Sequence, residues 1–419
     1  MSRVALVCSE PIRSCMGGIG IRYLELAQRL PGRELEIVLV TAGDPAVVPA
    51  DALEGGRIRA FQRGRLADLL SDCTAALAQG YLANDLLHEC PELPVAIDLY
   101  DPFMIENLHY AEQLGLDHYR NDHATSVLQL SRGDFFLCSS EEQRLFYLGF
   151  LAALGRVNPR RLARDPDLTG LIATVPFGVP EDPPPHRPVL AERRASERRL
   201  LFGGLYDWYD PWSLLEALAA LDRPDWTLFF VRNPNPEQTP QRLLREVETW
   251  CERRGWLGGR VRIIDWVPAD RRFDLLRDVD VLVAPHLMNL EARLSMRTRI
   301  LEALACGCPV VASEGGTMSD LLTRYGAGWT VPPGDVQALG RVLTRLLEKG
   351  GDARPESDGA GKLLERYSWA HALEPLARFC REPQRDPTKD EFAFRPPCFA
   401  PRDSLAFRLR RRWERMQRT

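Results

Sequence analysis

The sequence has little lysine and no long apolar run. Only three of its 54 cationic residues are lysines (Lys349, Lys362 and Lys389), so arginine carries almost all of the positive charge. The 58 acidic residues nearly balance it, and a net charge of −4 gives no basic field that would favour nucleic acid. No apolar stretch approaches the roughly 20 residues of a bilayer span, and the first ten residues lack a signal-peptide pattern. We expect a soluble, cytoplasmic protein that does not bind nucleic acid.

Paired cysteine motifs are also missing. The ten cysteines are scattered, without any Cys-x-x-Cys spacing, and Cys306 and Cys308 are too close together for a zinc knuckle. This pattern predicts reduced thiols and no structural metal.

Short apolar runs rich in β-branched residues alternate with helical patterns on both sides of a proline-rich segment at 180–188. The runs before it are VALVC (4–8), LEIVLV (35–40), VAIDLY (95–100), DFFLCSS (134–140) and IATVPFG (172–178). Those after it are RLLFGGLY (199–206), TLFFVRN (227–233), VRIIDWV (261–267), VDVLVAPH (279–286) and PVVASE (309–314), with helical patterns at 211–222, 240–256, 293–306 and 335–349. Such alternation is typical of parallel sheets with helices on both faces. We therefore predict an α/β protein with a Rossmann-like domain at 1–185, a second one at 186–380 and a basic tail at 381–419.

The segment 291–320 carries the most chemical information. It reads EARLSMRTRILEALACGCPVVASEGGTMSD, in which an amphipathic helix ends at Gly307 and a short strand runs into Gly315-Gly316. The order resembles the nucleotide-sugar signature of glycosyltransferase family 4, in which a Glu, here Glu302, opens E-A-x-A-C-G-x-P-V-V-A-S. The resemblance implies a GT-B architecture, with two Rossmann-like domains facing a central cleft. It also implies retaining, metal-independent transfer of a sugar from a nucleoside diphosphate to an acceptor hydroxyl, with no cofactor.

Within this segment we assign three parts of a donor site. A carboxylate at Glu302 can accept two hydrogen bonds from ribose hydroxyls, and Arg299 stands where many family members carry a phosphate-binding Lys. Arg297 is then expected to contact protein or acceptor. The family's earlier Glu would fall at Leu294, so Glu291 is the candidate replacement for its contact with the sugar.

Other strand ends should feed the same site. Gly203 and Gly204 follow the first strand of the second domain, where the family's basic residues are missing, and Arg232 could supply that charge. Trp266 either contacts the base or packs in the core. The amides of Gly315 and Gly316 could bind the diphosphate, the alternative being that Ser319 or Asp320 caps the helix that follows.

In the first domain, Gly17 and Gly18 lie between the first strand and the first helix. Amide groups there can hold an anion or a sugar hydroxyl. A dinucleotide site is disfavoured because Tyr23 occupies the place of the third glycine. The motif MGGIGIRYLELA at 16–27 resembles the acceptor-side loop of family 4. Arg22 would meet a phosphate or pair with Glu25.

Asp98 and Asp101, in AIDLYDPF, come at the end of a strand that should open onto the cleft. Family members often have a His here, and the segment resembles a bacterial subgroup of family 4, so we predict that these carboxylates face the acceptor and act in catalysis. The alternative is that Asp101 caps a helix starting at Pro102.

The tail repeats apolar residues at helical spacing among arginines, at Leu405, Leu409, Trp413 and Met416. Such a helix can lie on an anionic membrane, at the inner face, or dock on the first domain. We conclude that the sequence predicts a hexosyltransferase with a nucleotide-sugar donor and a glycan, glycolipid or small-molecule acceptor, in envelope polysaccharide, glycolipid or natural-product glycosylation. The alternatives are a nucleotide-sugar epimerase and a non-catalytic GT-B subunit.

Overall fold

The computed structural model describes residues 2–49, 52–53, 56–221, 223–233, 235, 239–349, 359–392, 409 and 413. Two parallel sheets organise them. The first contains β1 (Ser2–Cys8), β2 (Leu35–Thr41), β3 (Arg57–Ala60), β4 (Ala75–Ala78), β5 (Val95–Asp98), β6 (Phe135–Cys138) and β7 (Ile172–Thr174), in the order β3-β2-β1-β4-β5-β6-β7.

The second sheet begins beyond the proline-rich segment. It contains β8 (Arg198–Gly204), β9 (Trp226–Val231), β10 (Val261–Ile264), β11 (Val281–Ala284), β12 (Val310–Ser313) and β13 (Trp329–Val331), in the order β10-β9-β8-β11-β12-β13.

Helices cover both faces of each sheet. In the first lobe they are α1 (Gly18–Arg29), α2 (Leu66–Leu69), α3 (Leu82–Glu89), α4 (Phe103–Glu106), α5 (Ala111–Leu114), α6 (Leu116–Arg132), α7 (Glu141–Ala153) and α8 (Pro159–Arg164). Further along the chain come α9 (Pro211–Ala220), α10 (Arg242–Arg253), α11 (Arg272–Arg277), α12 (Leu290–Leu294), α13 (Thr298–Ala305), α14 (Thr317–Tyr325), α15 (Val336–Lys349), α16 (Gly359–Arg366), α17 (Trp369–Ala372), α18 (Glu374–Arg381) and α19 (Thr388–Glu391). None of the helices in the described ranges is both long and apolar enough to cross a membrane.

Both sheets have a point at which the strand order reverses, between β1 and β4 in the first and between β8 and β11 in the second. At such a point the loops on either side diverge and leave a crevice at the carboxyl ends of the strands. The strands themselves are almost fully buried, with Val4 to Cys8 and Leu200 to Phe202 at most 2% exposed. Two rigid cores therefore position the loops that meet between them.

The chain returns to the first lobe before it ends. Leu376, Ala377 and Cys380 of α18 belong to the same core cluster as Val4 and Leu6 of β1. Because α18 presents these apolar residues to the first sheet, the predicted assignment of everything up to 380 to the second domain is wrong for this helix.

Buried polar contacts secure the segment after α18. The Asp386 carboxylate lies 2.8 Å from the Arg156 guanidinium, and Lys389 Nζ lies 2.7 Å from the Asp134 carboxylate. These four side chains are at most 6% exposed, so the segment is tied to the first lobe by ion pairs as well as by apolar packing.

The helix predicted at 293–306 is also two helices in the structure. Asn289 caps α12, which ends where Ser295 adopts an extended conformation, and α13 begins only at Thr298. Arg297 precedes that helix with a non-helical ψ of 86°. The interruption frees Arg297 to turn back towards α12, which decides its partner in the cleft.

Candidate functional site

A cleft of about 760 Å³ lies between the carboxyl ends of the two sheets. We call its first-lobe side the first wall, which includes Glu10, Gly17, Gly18, Tyr81, Tyr100, Asp101, Glu106 and Tyr110. We call its second-lobe side the second wall, which includes Tyr206, Trp208, Trp266, Arg272, Glu291, Arg297, Arg299 and Glu302.

Arg299 lies on the second wall. Its Nη1 donates to the carbonyl of Phe202 at 3.2 Å, and no carboxylate of the described residues forms an ion pair with it. Gly203 makes room for the guanidinium, because a Cβ at that position would lie 2.0 Å from Nη1, and its φ of +93° also favours glycine. Gly203 does not line the cleft itself, but it allows an unneutralised cation to lie across the end of β8.

Glu302 lies one turn further along α13 and also lines the cleft. Its Oε1 accepts a hydrogen bond from Arg272 Nε at 2.8 Å, and Arg272 Nη2 reaches Glu25 Oε1 of the first lobe at 2.5 Å. A carboxylate has room for several hydrogen bonds, so the contact with Arg272 leaves acceptor capacity. Arg272 thus orients Glu302 and joins it to the opposite lobe.

Glu291 and Arg297 form an ion pair. Arg297 Nη2 donates to Glu291 Oε2 at 2.9 Å, Glu291 is 1% exposed, and the guanidinium also lies 4.6 Å from the centre of the Tyr209 ring. We expected Glu291 to replace the family's sugar-binding Glu, but a sugar would have to compete with Arg297 for this carboxylate. Arg297 contacts protein, which was one of its two predicted roles.

Trp266 lines the cleft, and its Nε1 donates to the carbonyl of Met16 at 2.9 Å. Gly204 lies beside it, since a Cβ there would be 3.6 Å from Trp266 Cζ3. Trp266 is therefore held between the lobes, with one edge available to a ligand.

Besides Gly203 and Gly204, three further residues predicted for the donor site do not line this cleft. Arg232 is half exposed and contacts Glu248 at 3.3 Å, because its strand ends at the surface beside α10. At the start of α14, the Gly316 amide donates to Ser319 Oγ at 3.0 Å, which is the capping alternative, and the Met288 side chain lies against Gly315. The prediction that Arg232, Gly315 and Gly316 contact a diphosphate in this cleft is therefore not supported by their positions.

Gly17 and Gly18 line the first wall, but the amides near them already have a partner. Gly17 N and Gly20 N donate to the two carboxylate oxygens of Glu10, at 2.5 and 2.8 Å, and Asn235 Nδ2 donates to the same carboxylate at 2.7 Å. The predicted anion position at this helix start is thus occupied by a side chain of the chain itself.

Arg22 and Asp98 are sealed in the core of the first lobe. Their side chains have no exposure, and the guanidinium contacts the Asp98 carboxylate at 2.6 and 3.1 Å. Its other donors reach the carbonyls of Val175 and Pro176. Asp98 therefore does not face an acceptor, and Arg22 meets neither a phosphate nor Glu25. Asp98, the last residue of β5, points under α1 instead of into the cleft.

Asp101 does line the cleft, and its Oδ2 accepts from Gln79 Nε2 at 3.1 Å. It does not cap α4, whose N-cap, Pro102, has no side-chain bond. Burial, with the nearby Asp98 charge, raises the pKa of the Asp101 carboxyl to about 7, against the lowering effect of the Gln79 hydrogen bond.

Glu106 follows Asp101 on the same wall. Burial raises its pKa well above the usual value, and the charges of Asp101 and Glu291 act in the same direction. No ion-pair partner for Asp101 or Glu106 occurs in the part of the chain that the structure describes.

Comparison with known proteins connects this geometry to an enzyme class. The model of the family "Glycosyl transferases group 1" matches residues 197–349. The amylovoran biosynthesis glycosyltransferase AmsK of Erwinia amylovora is 30% identical over 96 residues, 23% of this chain and 24% of the relative. The phosphatidyl-myo-inositol mannosyltransferase of Mycolicibacterium smegmatis is 27% identical over 234 residues, 54% of this chain and 56% of the relative. The chain thus spans from about a quarter to just over half the length of these curated relatives.

Solved structures match over almost the whole length. The sucrose-phosphate synthase of Thermosynechococcus elongatus superposes with a TM-score of 0.64 at 16% identity, covering 91% of this chain and 99% of that one. Anabaena HepE, solved with UDP and glucose, gives a TM-score of 0.63 at 14% identity over 91% and 100%. The chain has the GT-B fold.

Three residues of this GT-B cleft escaped the sequence reasoning: Glu10, Glu106 as an unpaired carboxyl, and Arg272. Arg272 is one of about fifty arginines, and nothing in its neighbourhood of the sequence links it to Glu302. Glu10 lies two residues beyond the end of β1, at Cys8, so the position of a polar residue after a buried strand was a usable signal for it. Within the described ranges of this GT-B chain, no group of three or more His, Cys, Asp or Glu side chains is placed to hold a metal ion.

Proposed function

We propose that this protein is a glycosyltransferase of the hexosyltransferase type, which moves a sugar from a nucleoside diphosphate sugar to an acceptor hydroxyl. The observation that carries the proposal is Arg299, a cation without a carboxylate partner among the described residues, held across the end of β8 by Gly203. Glu302 lies on the same wall. A diphosphate leaving group and a ribose diol would need this pair of groups.

The chemistry follows from the charge that develops as the glycosidic bond breaks. The leaving diphosphate gains negative charge, and a positioned guanidinium stabilises that charge more in the transition state than in the ground state. Glu302, oriented by Arg272, would hold the ribose hydroxyls, and the edge of Trp266 would contact the base. Because Arg299 would supply the positive charge that the leaving diphosphate needs, we propose that the transfer is metal-independent, and we further propose that it retains the configuration of the sugar.

The first wall would receive the acceptor. Asp101 lines it and is held by Gln79, so its carboxyl could accept a hydrogen bond from the reacting hydroxyl. Gly18 also lies on this side of the cleft, and a Cβ there would meet no atom within 4 Å, so its backbone faces open space that a substrate can enter.

The names of the similar proteins support donor and acceptor classes. HepE was solved in complex with UDP-glucose, and AmsK is named for amylovoran biosynthesis. We therefore propose a nucleotide-sugar donor and an acceptor from polysaccharide, glycolipid or natural-product glycosylation for this chain.

Titration calorimetry with UDP, GDP, ADP and their hexose derivatives tests the proposal. We expect one nucleotide to bind the intact protein, binding to weaken in Arg299→Ala, and Arg232→Ala to behave as the wild type, because Arg232 carries the same charge outside the cleft. Failure of every nucleotide to bind would refute the proposal and favour a non-catalytic subunit. Conversion of the nucleotide sugar without any acceptor would favour an epimerase.

We also propose contact with a membrane surface through the tail. Most of it lies outside the described residues, as Leu405 and Met416 do, but Leu409 and Trp413 are helical and more than half exposed. Arginines near an anionic surface contribute about 1 kcal/mol each. Co-sedimentation with phosphatidylglycerol vesicles should therefore be lost when residues 400–419 are removed. A large fall in melting temperature, without vesicle binding by the intact chain, would favour the docked alternative.

A further inference from the structure

The two walls of the cleft separate charge, and this separation bears on what the acceptor is. The three arginines that line the cleft, Arg272, Arg297 and Arg299, all lie on the second wall. The first wall contributes carboxylates and no Arg or Lys among the residues that line it. The inference below rests on the proposed function, because it concerns the substrate that the first wall would receive.

The three arginines of the second wall already have a partner or a proposed role. Arg272 contacts both Glu302 and Glu25, and Arg297 contacts Glu291. Arg299 is the cation proposed to bind the diphosphate. None of them forms an ion pair with Asp101 or Glu106. Within the described part of the protein, the first wall therefore has no cation at ion-pair distance, although the charge of Arg297 and the hydroxyl of Ser295 act to lower the pKa of Glu106.

Glu10 differs from the other two carboxylates of this wall. Its oxygens accept hydrogen bonds from Gly17 N, Gly20 N and Asn235 Nδ2, so its charge is solvated by the protein. Asp101 has one hydrogen bond, from the neutral amide of Gln79. Glu106 interacts with the neutral hydroxyl of Ser295, so Asp101 and Glu106 are the pair that has neutral partners and no ion pair among the described residues.

A second, separate feature also points to a ligand. The Tyr110 hydroxyl is buried on the same wall, in a residue that is 3% exposed, and it has no hydrogen-bond partner of normal geometry among the described residues. Buried hydroxyls are rarely left unpaired. Tyr81 on this wall is 40% exposed, and the ring of Trp208 on the second wall lies 5.6 Å from that of Tyr110. Aromatic rings attract cations as well as sugar C–H groups.

We propose that the acceptor carries a protonated amine, and that this ammonium group lies between Asp101 and Glu106 with Tyr110 beside it. An ammonium supplies three donors and one positive charge, which two carboxylates without an ion-pair partner and the oxygen of the Tyr110 hydroxyl can accept. A neutral sugar supplies the donors without the charge. An acceptor with a phosphate or carboxylate at this end adds repulsion in a cleft from which water is partly removed. The acceptor class is therefore an amino sugar or another amine-bearing polyol.

Matched acceptor sets test this proposal. Glucosamine, glucose, N-acetylglucosamine and glucose 6-phosphate form one set, and the galactose analogues form another. With the nucleoside diphosphate that binds in calorimetry kept saturating, saturation-transfer NMR measures binding of each sugar. With the hexose derivative of that nucleotide as donor, release of the nucleoside diphosphate measures transfer of the hexose to a hydroxyl of the sugar. We expect the free amine to bind and react at least about tenfold better than its N-acetyl and neutral counterparts, the scale of a hydrogen bond between charged groups.

Two variants locate the effect. Glu106→Gln should reduce the preference for the amine over the neutral sugar to about threefold or less, because the amide keeps the shape but loses the charge. Asp117→Asn is the matched control, since Asp117 is 96% exposed on α6 and pairs with Arg120 outside the cleft, and it should keep the full preference.

The outcomes separate the two proposals. A preference for the phosphate or the N-acetyl sugar, or an amine preference that Glu106→Gln leaves unchanged, overturns the acceptor class. So does the absence of binding by every amine while the nucleotide still binds, and this result leaves the proposed transferase function standing. Loss of nucleotide binding altogether refutes the proposed function instead.

Discussion

The walls of the cleft hold similar numbers of carboxylates but partner them differently. On the second wall, Glu291 lies 2.9 Å from Arg297 and Glu302 lies 2.8 Å from Arg272. On the first wall, Asp101 and Glu106 have no cation within ion-pair distance in the described residues. A carboxylate in an ion pair is held in place before any ligand binds. A carboxylate without an ion pair can still form one with a positively charged ligand.

This difference has opposite energetic consequences on the two sides. Removing one member of a buried ion pair leaves the other charge without compensation and destabilises the fold. Removing an unpaired buried carboxyl relieves a cost that the folded state already bears. Stability measurements can therefore distinguish the two walls without knowledge of the substrate.

The largest effect is expected at Arg297. Arg297→Ala should lower the free energy of unfolding by about 3–5 kcal/mol, because Glu291 stays buried without its partner. Urea denaturation measures the change. The double variant Arg297→Met with Glu291→Met should recover much of it, since apolar replacement of a buried pair is often neutral. A loss no greater than that of Arg232→Ala would show that the pair is not what stabilises the second wall.

The next effect concerns turnover. Arg299→Ala should lower kcat by about 10² or more, the loss typical of one preorganised stabiliser of transition-state charge. Its stability should change little, because Arg299 forms no ion pair with the described residues. Nucleoside diphosphate release, with Arg232→Ala as the equal-charge control, checks this. Equal kcat values for both variants would move the leaving-group site elsewhere.

A smaller effect is expected for donor affinity at Glu302. Glu302→Ala should weaken binding by about 1.5–3 kcal/mol, the range of hydrogen bonds to a charged group. Glu302→Gln keeps one oxygen for the ribose but loses the charge that attracts Arg272. Its donor affinity should therefore lie between that of the wild type and that of Glu302→Ala. Calorimetry on folded protein measures both. Unchanged affinity in the Ala variant would remove Glu302 from the donor site.

The two walls also differ in how much of each could be predicted from the sequence. Four charged residues of the second wall, Glu291, Arg297, Arg299 and Glu302, come from one segment, so its motif spacing predicted that Arg299 and Glu302 lie together. Partners from distant segments could not be predicted, as Arg272 shows, and the break before α13 was hidden because Ser295 and Met296 do not interrupt an apolar pattern. On the first wall, strand-end logic found Asp101 but misassigned Asp98, because only the packing of α1 decides which carboxylate points inward.

The strands follow the same physical rule. Runs with β-branched residues, such as Val310–Ser313, were recognised from composition. Three strands were missed: Ala75–Ala78 lacks β-branched residues, Arg57–Ala60 alternates arginine at a sheet edge, and Trp329–Val331 is three residues long. Tertiary context, more than local propensity, makes these segments strands.

The last and smallest effect concerns the pH dependence of stability at Asp101. In the unfolded chain this carboxyl loses its proton near pH 4, whereas in the folded state burial and the Asp98 charge raise its pKa to about 7, with Gln79 and Arg22 acting in the opposite direction. Between these values the folded state holds a proton that the unfolded state releases, so this group's contribution to stability falls as the pH rises from about 4 to 7 and is level above.

Asp101→Asn removes that titration but keeps an oxygen for the Gln79 hydrogen bond. The variant should therefore gain melting temperature over the wild type at pH 8, by about 2 °C or more at the usual 2–4 °C per kcal/mol, and much less at pH 5. Asp117→Asn, on the exposed face of α6, should show no such difference between the two pH values. If Asp101→Asn changes the melting temperature equally at pH 5 and pH 8, the carboxyl is ionised in both states and the first wall is satisfied by contacts like those of the second. A gain confined to the higher pH would instead mean that folding raises the pKa of Asp101, as expected for a buried carboxyl without an ion-pair partner among the described residues.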